Sequence, residues 1–119
     1  MRLVVTAAQF EVTESDDGAL VCGLGNGADY LALWRDLRDP KSDSAVFLEF
    51  NCEANRGRNC ITAYRLEKSR LSIDLSKQLG ELAGVEGFDV ELSIERKAHD
   101  ALEFVLGTIF RGSVGRSDA

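Results

Sequence analysis

Residues 59–76 read NCITAYRLEKSRLSIDLS, two alternating runs joined by a polar turn at Lys68-Ser69. Every second position of the later run is apolar: Leu71, Ile73 and Leu75. One face of the earlier run carries Cys60, Thr62, Tyr64 and Leu66. A period of two with one cleaner apolar face is typical of a half-buried β-strand. The stretch therefore predicts a β-hairpin, with strands before it and most of the helical sequence after it.

Further strands are predicted on both sides of this hairpin. The apolar or alternating runs cover residues 3–14, 19–24, 30–35 and 45–52 before it, and residues 88–95 after it. Residues 36–44 contain Pro40, the only proline, and are predicted to form a charged loop because proline cannot donate a ladder hydrogen bond. Residues 53–58 are predicted to form the loop that leads into the hairpin.

The glycine-rich stretch GLGNGA at residues 23–28 resembles a dinucleotide-binding fingerprint in its spacing. That fingerprint requires a following helix, whose N-terminus receives the pyrophosphate. The residues that follow here, ADYLALWR, have the pattern of a strand instead. Asn26-Gly27 is a favoured pair for a two-residue type I′ turn, so we predict a β-hairpin and not a phosphate-binding loop.

Two helices are predicted in the C-terminal half of the chain. Ser76 is a suitable N-cap for a short helix over residues 77–83, with Gly84 at its end. A longer amphipathic helix is predicted over residues 96–110. Its apolar stripe recurs at a spacing of three to four residues, at Ala98, Leu102, Val105 and Ile109. Gly107 in this helix is expected to allow close approach of a neighbouring backbone.

These elements predict an α+β fold, with a curled, mainly antiparallel sheet of six or seven strands, a short helix and a C-terminal amphipathic helix. Residues 1–111 are expected to form a single domain, because 119 residues fit one core, and residues 112–119 a disordered tail. The strands at 30–35 and 45–52 are apolar on both faces. Either the sheet curls so that its N-terminal strands pack on one another, which we favour, or a partner covers the second face.

The acidic charge is concentrated in the first half of the chain. Residues 1–55 carry ten acidic and four basic side chains, which gives −6, the net charge of the whole protein. This distribution disfavours nucleic acid or an anionic membrane as a partner, because phosphate contacts need a basic face. A basic protein is the partner that it favours, although solubility alone also accounts for the acidity. No apolar run approaches the roughly 18 residues that cross a bilayer.

The cysteine pattern favours reduced thiols. Cys22, Cys52 and Cys60 are an odd number, they form no CxxC pair, and no export signal is recognised. We therefore expect a cytoplasmic protein. Cys52 and Cys60 flank one predicted loop, and the sequence does not set the distance between them.

No catalytic or metal-binding set is predicted. Glu95, His99 and Glu103 share one stripe of the C-terminal helix, but that stripe is the polar flank which any amphipathic helix has. His99 is the only histidine, and the adjacent Asp100 points elsewhere on the helix, so it cannot orient the ring. A Cys–His pair stays open, although a buried free cysteine is commonly structural. We predict a protein without enzymatic activity, metal or cofactor.

A binding surface is predicted around the third strand. Tyr30 and Trp34 lie on one of its faces, where aromatic side chains either anchor an interface or pack in the core. The flanking stretches 36–44 and 53–58 are rich in charges of both signs. The candidate partner-binding residues are Tyr30, Trp34, Asp36, Asp39, Asp43, Glu49, Glu53, Arg56 and Arg58.

The order of these features resembles the tenth family of immunity proteins from bacterial polymorphic toxin systems. The residues that carry the resemblance are YLALWR at 30–35, FLEF at 47–50, LEKSRLSI at 66–73 and IF at 109–110. The chain departs from the family pattern at Trp34, where a glutamine is frequent, and at Asn59-Cys60, where a Gly-Gly pair is frequent.

The resemblance implies a cytoplasmic protein that binds and neutralises a cognate toxin domain and has no enzymatic activity. The acidic first half suits a basic toxin, such as a nuclease. The alternative is a structural or self-associating small domain without a toxin partner. In that case a homodimer buries the two-faced strands, including Trp34.

Overall fold

The computed structural model describes residues 1–14, 18–37, 45–111 and 115–116. Within these ranges the chain forms ten strands and one helix. The elements are β1 (Arg2–Ala7), β2 (Gln9–Glu14), β3 (Ala19–Gly25), β4 (Tyr30–Asp36), β5 (Val46–Phe50), β6 (Cys52–Arg58), β7 (Ile61–Leu66), β8 (Arg70–Leu75), β9 (Gly87–Leu92), α1 (Arg96–Ile109) and β10 (Gly115–Arg116). The α+β class and the C-terminal helix are confirmed.

The strands form two sheets, so the expected single sheet of six or seven strands is wrong. Sheet 1 has the order β1-β9-β8-β7-β10, and sheet 2 has the order β2-β3-β4-β5-β6. Pairing is antiparallel except between β1 and β9 and between β10 and β7. The expected hairpin is β7–β8, and Leu66 pairs with Leu71 across its turn.

The predicted first strand, residues 3–14, is two strands that belong to different sheets. The chain leaves sheet 1 at Ala8, after which β2 pairs antiparallel with β3. The buried face changes at this break: odd-numbered side chains face the core in β1, and the even-numbered Phe10 faces it in β2. Val5 and Ala7 are buried, and Phe10 packs against the same core. Val4, Thr6 and Ala8 share the parity of Phe10 but are exposed, so the alternation of residue types did not reveal the break.

The core lies between the two sheets and one face of α1. The rings of Phe50 in sheet 2 and Phe88 in sheet 1 are 5.3 Å apart, and Tyr64 stacks on Phe110 at 4.5 Å. The helix contributes its buried stripe, Leu102, Val105, Leu106 and Ile109. We call the side of each sheet that faces this core its inner face and the opposite side its outer face.

The guanidinium of Arg35 fixes the C-terminal end of α1. Its Nη1 donates to the carbonyl oxygens of Ile109 at 2.9 Å and Arg111 at 2.7 Å. The last carbonyl groups of a helix have no intrahelical partner, and a cation there also complements the helix dipole. Gly107 faces open space, so the expected close backbone approach at this glycine is wrong.

The predicted short helix over residues 77–83 is wrong. This segment forms turns closed by a bridge between Leu79 and Leu82, and Leu79 is fully buried. Gly80 has φ +56° and lies against the backbone of Ala54. The N–H of Glu81 donates to the Ala54 carbonyl oxygen at 3.2 Å. A single helical turn or two is marginal in water, so these contacts with β6 determine the conformation.

The predicted loop over residues 53–58 is also wrong, because these residues belong to β6. The chain reverses at Asn51, whose φ is 64°, and Arg56 of β6 then pairs with Glu49 of β5. The predicted fourth strand accordingly ends at Phe50. The sequence of β6, CEANRGR, contains no β-branched residue, so pairing with β5 overrides a weak local preference.

The hairpin expected at residues 23–28 is present, but its turn is longer than predicted. Four residues separate β3 from β4, and only Gly27 among them has a positive φ, of 90°. The side-chain oxygen of Asn26 accepts hydrogen bonds from the N–H groups of Ala28 and Asp29, both at 2.9 Å. Asparagine therefore stabilises this turn through its side chain and not through a left-handed backbone.

Candidate functional site

The outer face of sheet 2 collects most of the predicted binding residues. The strand register places one row of neighbours across the sheet, Thr13, Val21, Trp34, Phe47 and Arg58. The adjacent row is Glu11, Gly23, Ala32, Glu49 and Arg56. Leu31 and Leu33 point to the inner face and are fully buried. Only one face of β4 is therefore buried in the core, and its second face forms an open surface.

Trp34 and Phe47 form the apolar centre of this surface. Their rings stack at 5.4 Å with an interplanar angle of 8°. The guanidinium carbon of Arg56 lies 5.2 Å from the centre of the Trp34 ring, within the range of a cation–π contact. Both rings are half-buried, because they lie against one another and against the sheet. We call the group formed by Tyr30, Trp34, Phe47, Glu49 and Arg56 the aromatic–ionic face.

Glu49 is the only buried charged residue in the described part of the chain, with 8% of its surface exposed. Its Oε1 accepts from Arg56, at 2.8 Å from Nε and 2.7 Å from Nη2. Its Oε2 accepts from the Tyr30 hydroxyl group. Both carboxylate oxygens thus have donors, which a buried carboxylate requires.

The contacts of Glu49 change the proton affinity of the groups around it. The hydrogen bond from Tyr30, and then those from Arg56, lower the pKa of Glu49 against the opposing effect of burial. The same bond to Glu49 raises the pKa of the Tyr30 hydroxyl to about 12. The Arg56 pKa is raised chiefly by its hydrogen bond to Glu49. At neutral pH the group therefore holds one carboxylate, one guanidinium and one neutral phenol.

Asn51 positions the end of β4 from which the Tyr30 side chain extends. Its side-chain oxygen accepts from the Tyr30 N–H at 2.8 Å, and its own N–H donates to the Tyr30 carbonyl oxygen at 3.2 Å. Its amide group also donates to Asp29 at 2.8 Å. The Tyr30 residue is 38% exposed, so the phenol edge is accessible while its hydroxyl group is engaged.

The structure brings five of the nine predicted partner-binding residues together on this face: Tyr30, Trp34, Glu49, Arg56 and Arg58. Glu53 lies at the rim, 3.6 Å from Arg56 and with 85% of its side chain exposed. Asp36 is exposed at the far end of β4. Asp39 and Asp43 lie outside the described residues.

Sequence reasoning missed Phe47 as a member of the site. In the run VFLEF, Phe47 and Glu49 are two residues apart and therefore share a face, opposite that of Val46 and Leu48. The signal that could have identified Phe47 was a glutamate on the same face as an aromatic residue, within an otherwise apolar strand.

Burial disfavours the thiolate form of two of the three cysteines. All three are free, and Cys22 and Cys60 are buried whereas Cys52 is exposed. Burial raises the pKa of Cys22 to about 12, and it raises that of Cys60 as well. Such thiols are poor nucleophiles near neutral pH, because the thiolate is the reactive form.

The polar stripe of α1 has a structural contact. Nε2 of His99 lies 2.8 Å from the carbonyl oxygen of Glu67, which requires that this nitrogen donates the hydrogen bond. The contact joins the helix to the β7–β8 turn. Within the described residues, no group of three histidine, cysteine or acidic side chains is arranged to hold a metal ion.

Comparisons of the chain with protein-family models, with curated proteins and with solved structures found no match. In the part of the chain that the structure describes, no helix is long and apolar enough to span a membrane.

Proposed function

We propose that this protein is an immunity protein, which binds a cognate bacterial toxin domain in the cytoplasm and neutralises it by protein–protein contact. The observation that carries the proposal is the aromatic–ionic face. Tryptophan, tyrosine and arginine are the residue types that most often dominate binding energy at protein interfaces. Here Trp34, Tyr30 and Arg56 occur together on a sheet face that is not packed in the core.

The side chains of this face are held in place before a partner arrives. Glu49 fixes the Arg56 guanidinium, which in turn lies over the Trp34 ring, and the same carboxylate fixes the Tyr30 hydroxyl group. Immobilising a flexible side chain on association costs about 0.5–1.5 kcal/mol. A face whose arginine and aromatic residues are already ordered avoids part of that cost and supports tight binding.

The charge distribution supports a basic partner. All of the net charge of −6 arises within residues 1–55, which include β1–β5. Opposite charge accelerates the encounter of two proteins and does so less at high salt. The exposed acids at the rim, Asp36 and Glu53, are placed to contribute to this attraction.

The test is binding and growth protection with the toxin fragment encoded next to this gene. We expect Trp34→Ala and Arg56→Ala each to weaken the affinity roughly 30-fold, which corresponds to about 2 kcal/mol. Phe104→Ala is the matched control, because Phe104 is an exposed aromatic residue on α1. It should leave the affinity unchanged.

Absence of binding to the neighbouring toxin fragment would refute the proposal. Equal losses in Trp34→Ala and Phe104→Ala would refute the assignment of the surface. Charge reversal at Asp36, Asp39 and Asp43 together should lower the association rate, and an unchanged rate would exclude a contribution of these three acids.

Self-association is the second candidate function, because the same open face suits a copy of the chain. Light scattering separates the two possibilities. A dimer that persists on dilution and shields the single tryptophan, Trp34, from a fluorescence quencher favours self-association. A monomer with an accessible Trp34 favours the toxin partner.

A further inference from the structure

The β2 strand, at one edge of sheet 2, has an unpaired side. In the described ranges it pairs with β3 alone, and residues 9–14 make no other backbone hydrogen bond there. About half of the peptide groups in such a strand direct their N–H and C=O groups away from the only neighbour. The opposite edge of the sheet differs, because Glu81 donates a backbone hydrogen bond to Ala54 of β6.

Depressions lie on both sides of this free edge. Along the edge and towards the inner side, a groove of about 610 Å³ lies between β2 and the segment that enters α1. On the outer side, a smaller depression of about 240 Å³ lies between β2 and the β3–β4 turn. An added strand directs alternate side chains to opposite faces of a sheet. Its side chains would therefore have room on both sides of β2.

The two depressions share Gln9 and Glu11, and the larger one also has apolar lining. The larger groove has apolar lining from Phe10, Ile94 and Ala98 and polar or acidic lining from Gln9, Glu11, Ser93 and Glu95. Val12, 43% exposed, is on the same face of β2 as Phe10. The outer depression is lined by Gln9 and Glu11, which are both exposed. Among the described residues Glu11 has no cationic partner. The apolar side chains are therefore on the inner side, whereas Glu11 borders both depressions and favours basic side chains along the edge.

We propose that the free edge of β2 binds an extended segment of another protein, in which apolar and basic residues alternate, by strand addition. Backbone hydrogen bonds provide the affinity in this mode of recognition, and the alternate side chains provide the specificity. The surface borders the aromatic–ionic face at Tyr30, which lines the outer depression, but Trp34 and Arg56 line neither depression. The inference does not depend on a toxin partner.

A second copy of this chain fits the edge less well than a basic segment. Each β2 carries Glu11 and Glu14, so two paired copies would place four carboxylates along one two-stranded edge. Each chain also carries a net charge of −6. Like charges across a strand pair are destabilising, whereas a basic segment neutralises them.

The probe is an acetylated and amidated seven-residue peptide that alternates lysine and valine. Titration into the ¹⁵N-labelled full chain should shift amide resonances of residues 9–14 and 93–98. A peptide of the same composition with its lysines and valines in two blocks should bind at least about tenfold more weakly. A fully N-methylated alternating peptide, which keeps the charge but has no backbone donors, should lose binding by a similar factor.

Two variants with matched controls locate the site on the protein. Glu11→Lys and Val12→Lys should each weaken binding of the alternating peptide at least about tenfold. Glu81→Lys and Val4→Lys place the same new charge at exposed positions on other elements, and binding should be retained. Thermal melts of all four variants verify that each is folded.

Three results would overturn the inference. The first is that the block peptide or the N-methylated peptide binds as tightly as the alternating peptide. The second is that amide shifts are confined to residues outside β2 and the entry to α1. The third is a wild-type dimer that Val12→Lys dissociates. Trp34→Ala should bind the peptide like the wild type. Failure here is thus distinguishable from failure of toxin binding, which is measured with another partner and depends on Trp34 and Arg56.

Discussion

Replacing Glu49 by glutamine tests whether the buried carboxylate holds the aromatic–ionic face together. The substitution keeps the shape of the side chain but replaces one accepting oxygen by an N–H₂ group, which meets a donor from Tyr30 or Arg56. A hydrogen bond to a charged group contributes roughly 1.5–3 kcal/mol. Tyr30 and Arg56 regain water when released, so we expect the free energy of unfolding to fall by about 1.5 kcal/mol at pH 7. For a domain of this size the melting temperature should fall by about 6 °C.

The effect of Glu49→Gln should depend on pH in a defined direction. The hydrogen bond from Tyr30, followed by those from Arg56, holds the pKa of Glu49 below its ordinary value of 4.5 in the folded state. A carboxyl group with a lowered folded-state pKa contributes stability that is full above its unfolded pKa and is lost as pH falls through the folded one. The difference between wild type and variant should therefore be constant above about pH 5.5 and shrink below about pH 4.5.

Chemical denaturation at several pH values is the assay, and Glu53→Gln is the matched control. The Glu53 side chain is 85% exposed and lies 3.6 Å from the same Arg56 guanidinium. Its replacement should change the free energy of unfolding by less than about 0.5 kcal/mol. A second measurement is the pKa of the Tyr30 hydroxyl, about 12 in the wild type, which should move towards 10 in Glu49→Gln. Equal losses in the two variants, or a difference between wild type and Glu49→Gln that is the same at pH 3 and pH 7, would refute the reasoning.

Four further substitutions test the fold. Gly107→Ala should raise the free energy of unfolding by about 0.5–1 kcal/mol, because the new methyl group meets open space in a helix. By contrast, Gly80→Ala should lower the free energy of unfolding by more than about 1 kcal/mol, because φ is positive and the methyl group would overlap Ala54. Denaturant titration measures both glycine variants, and a change of the same sign in the two would contradict the reasoning. Phe88→Ala should lower the free energy of unfolding by about 3–5 kcal/mol, since the ring is fully buried, and a loss below about 1 kcal/mol in the same titration would contradict the core assignment. Arg35→Met should accelerate amide hydrogen exchange in the last turn of α1 about tenfold, because the carbonyl groups there lose the guanidinium donor. Unchanged exchange would show that Arg35 does not stabilise this turn.

The elements with strong periodicity could be predicted from the sequence. The hairpin of β7 and β8, the strand β9 and the helix α1 all have one apolar face that recurs over several residues. Burial of that face is the largest local determinant of their conformation, so the pattern and the structure agree. The division into two sheets could not be predicted. It depends on the break at Ala8, where neither a glycine nor a proline interrupts the alternation.

The prediction was wrong for segments whose conformation depends on residues far away in the sequence. Residues 53–58 form β6 because β5 provides a partner for them, although their own composition is that of a loop. Residues 77–83 form turns because Leu79 enters the core and Gly80 packs on Ala54. Neither contact is encoded in the spacing of the local sequence, and both exceed the small free energy that local propensity provides.

Part of the candidate site was accessible to sequence reasoning for a simple geometric reason. Residues separated by an even number of positions on a strand share a face, so the spacing of Tyr30 and Trp34 is enough to place them together. Their relation to Glu49 and Arg56 could not be predicted in this way, because it requires the register of β4, β5 and β6, including the reversal at Asn51.

The two-faced strands β4 and β5 connect the fold to the proposed function. Their inner residues fill the core, whereas, within the part of the chain that the structure describes, their outer residues are covered by side chains of the same sheet and not by another layer. In such an arrangement Arg56 shields one side of the Trp34 ring, and Glu49 neutralises the cation that does so. The stability of this face is therefore local, and a partner can replace water over Trp34 and Phe47 without separating the ion pair. Because an intact ion pair avoids the cost of leaving a buried charge unpaired, the face can gain apolar contacts on binding at little electrostatic cost.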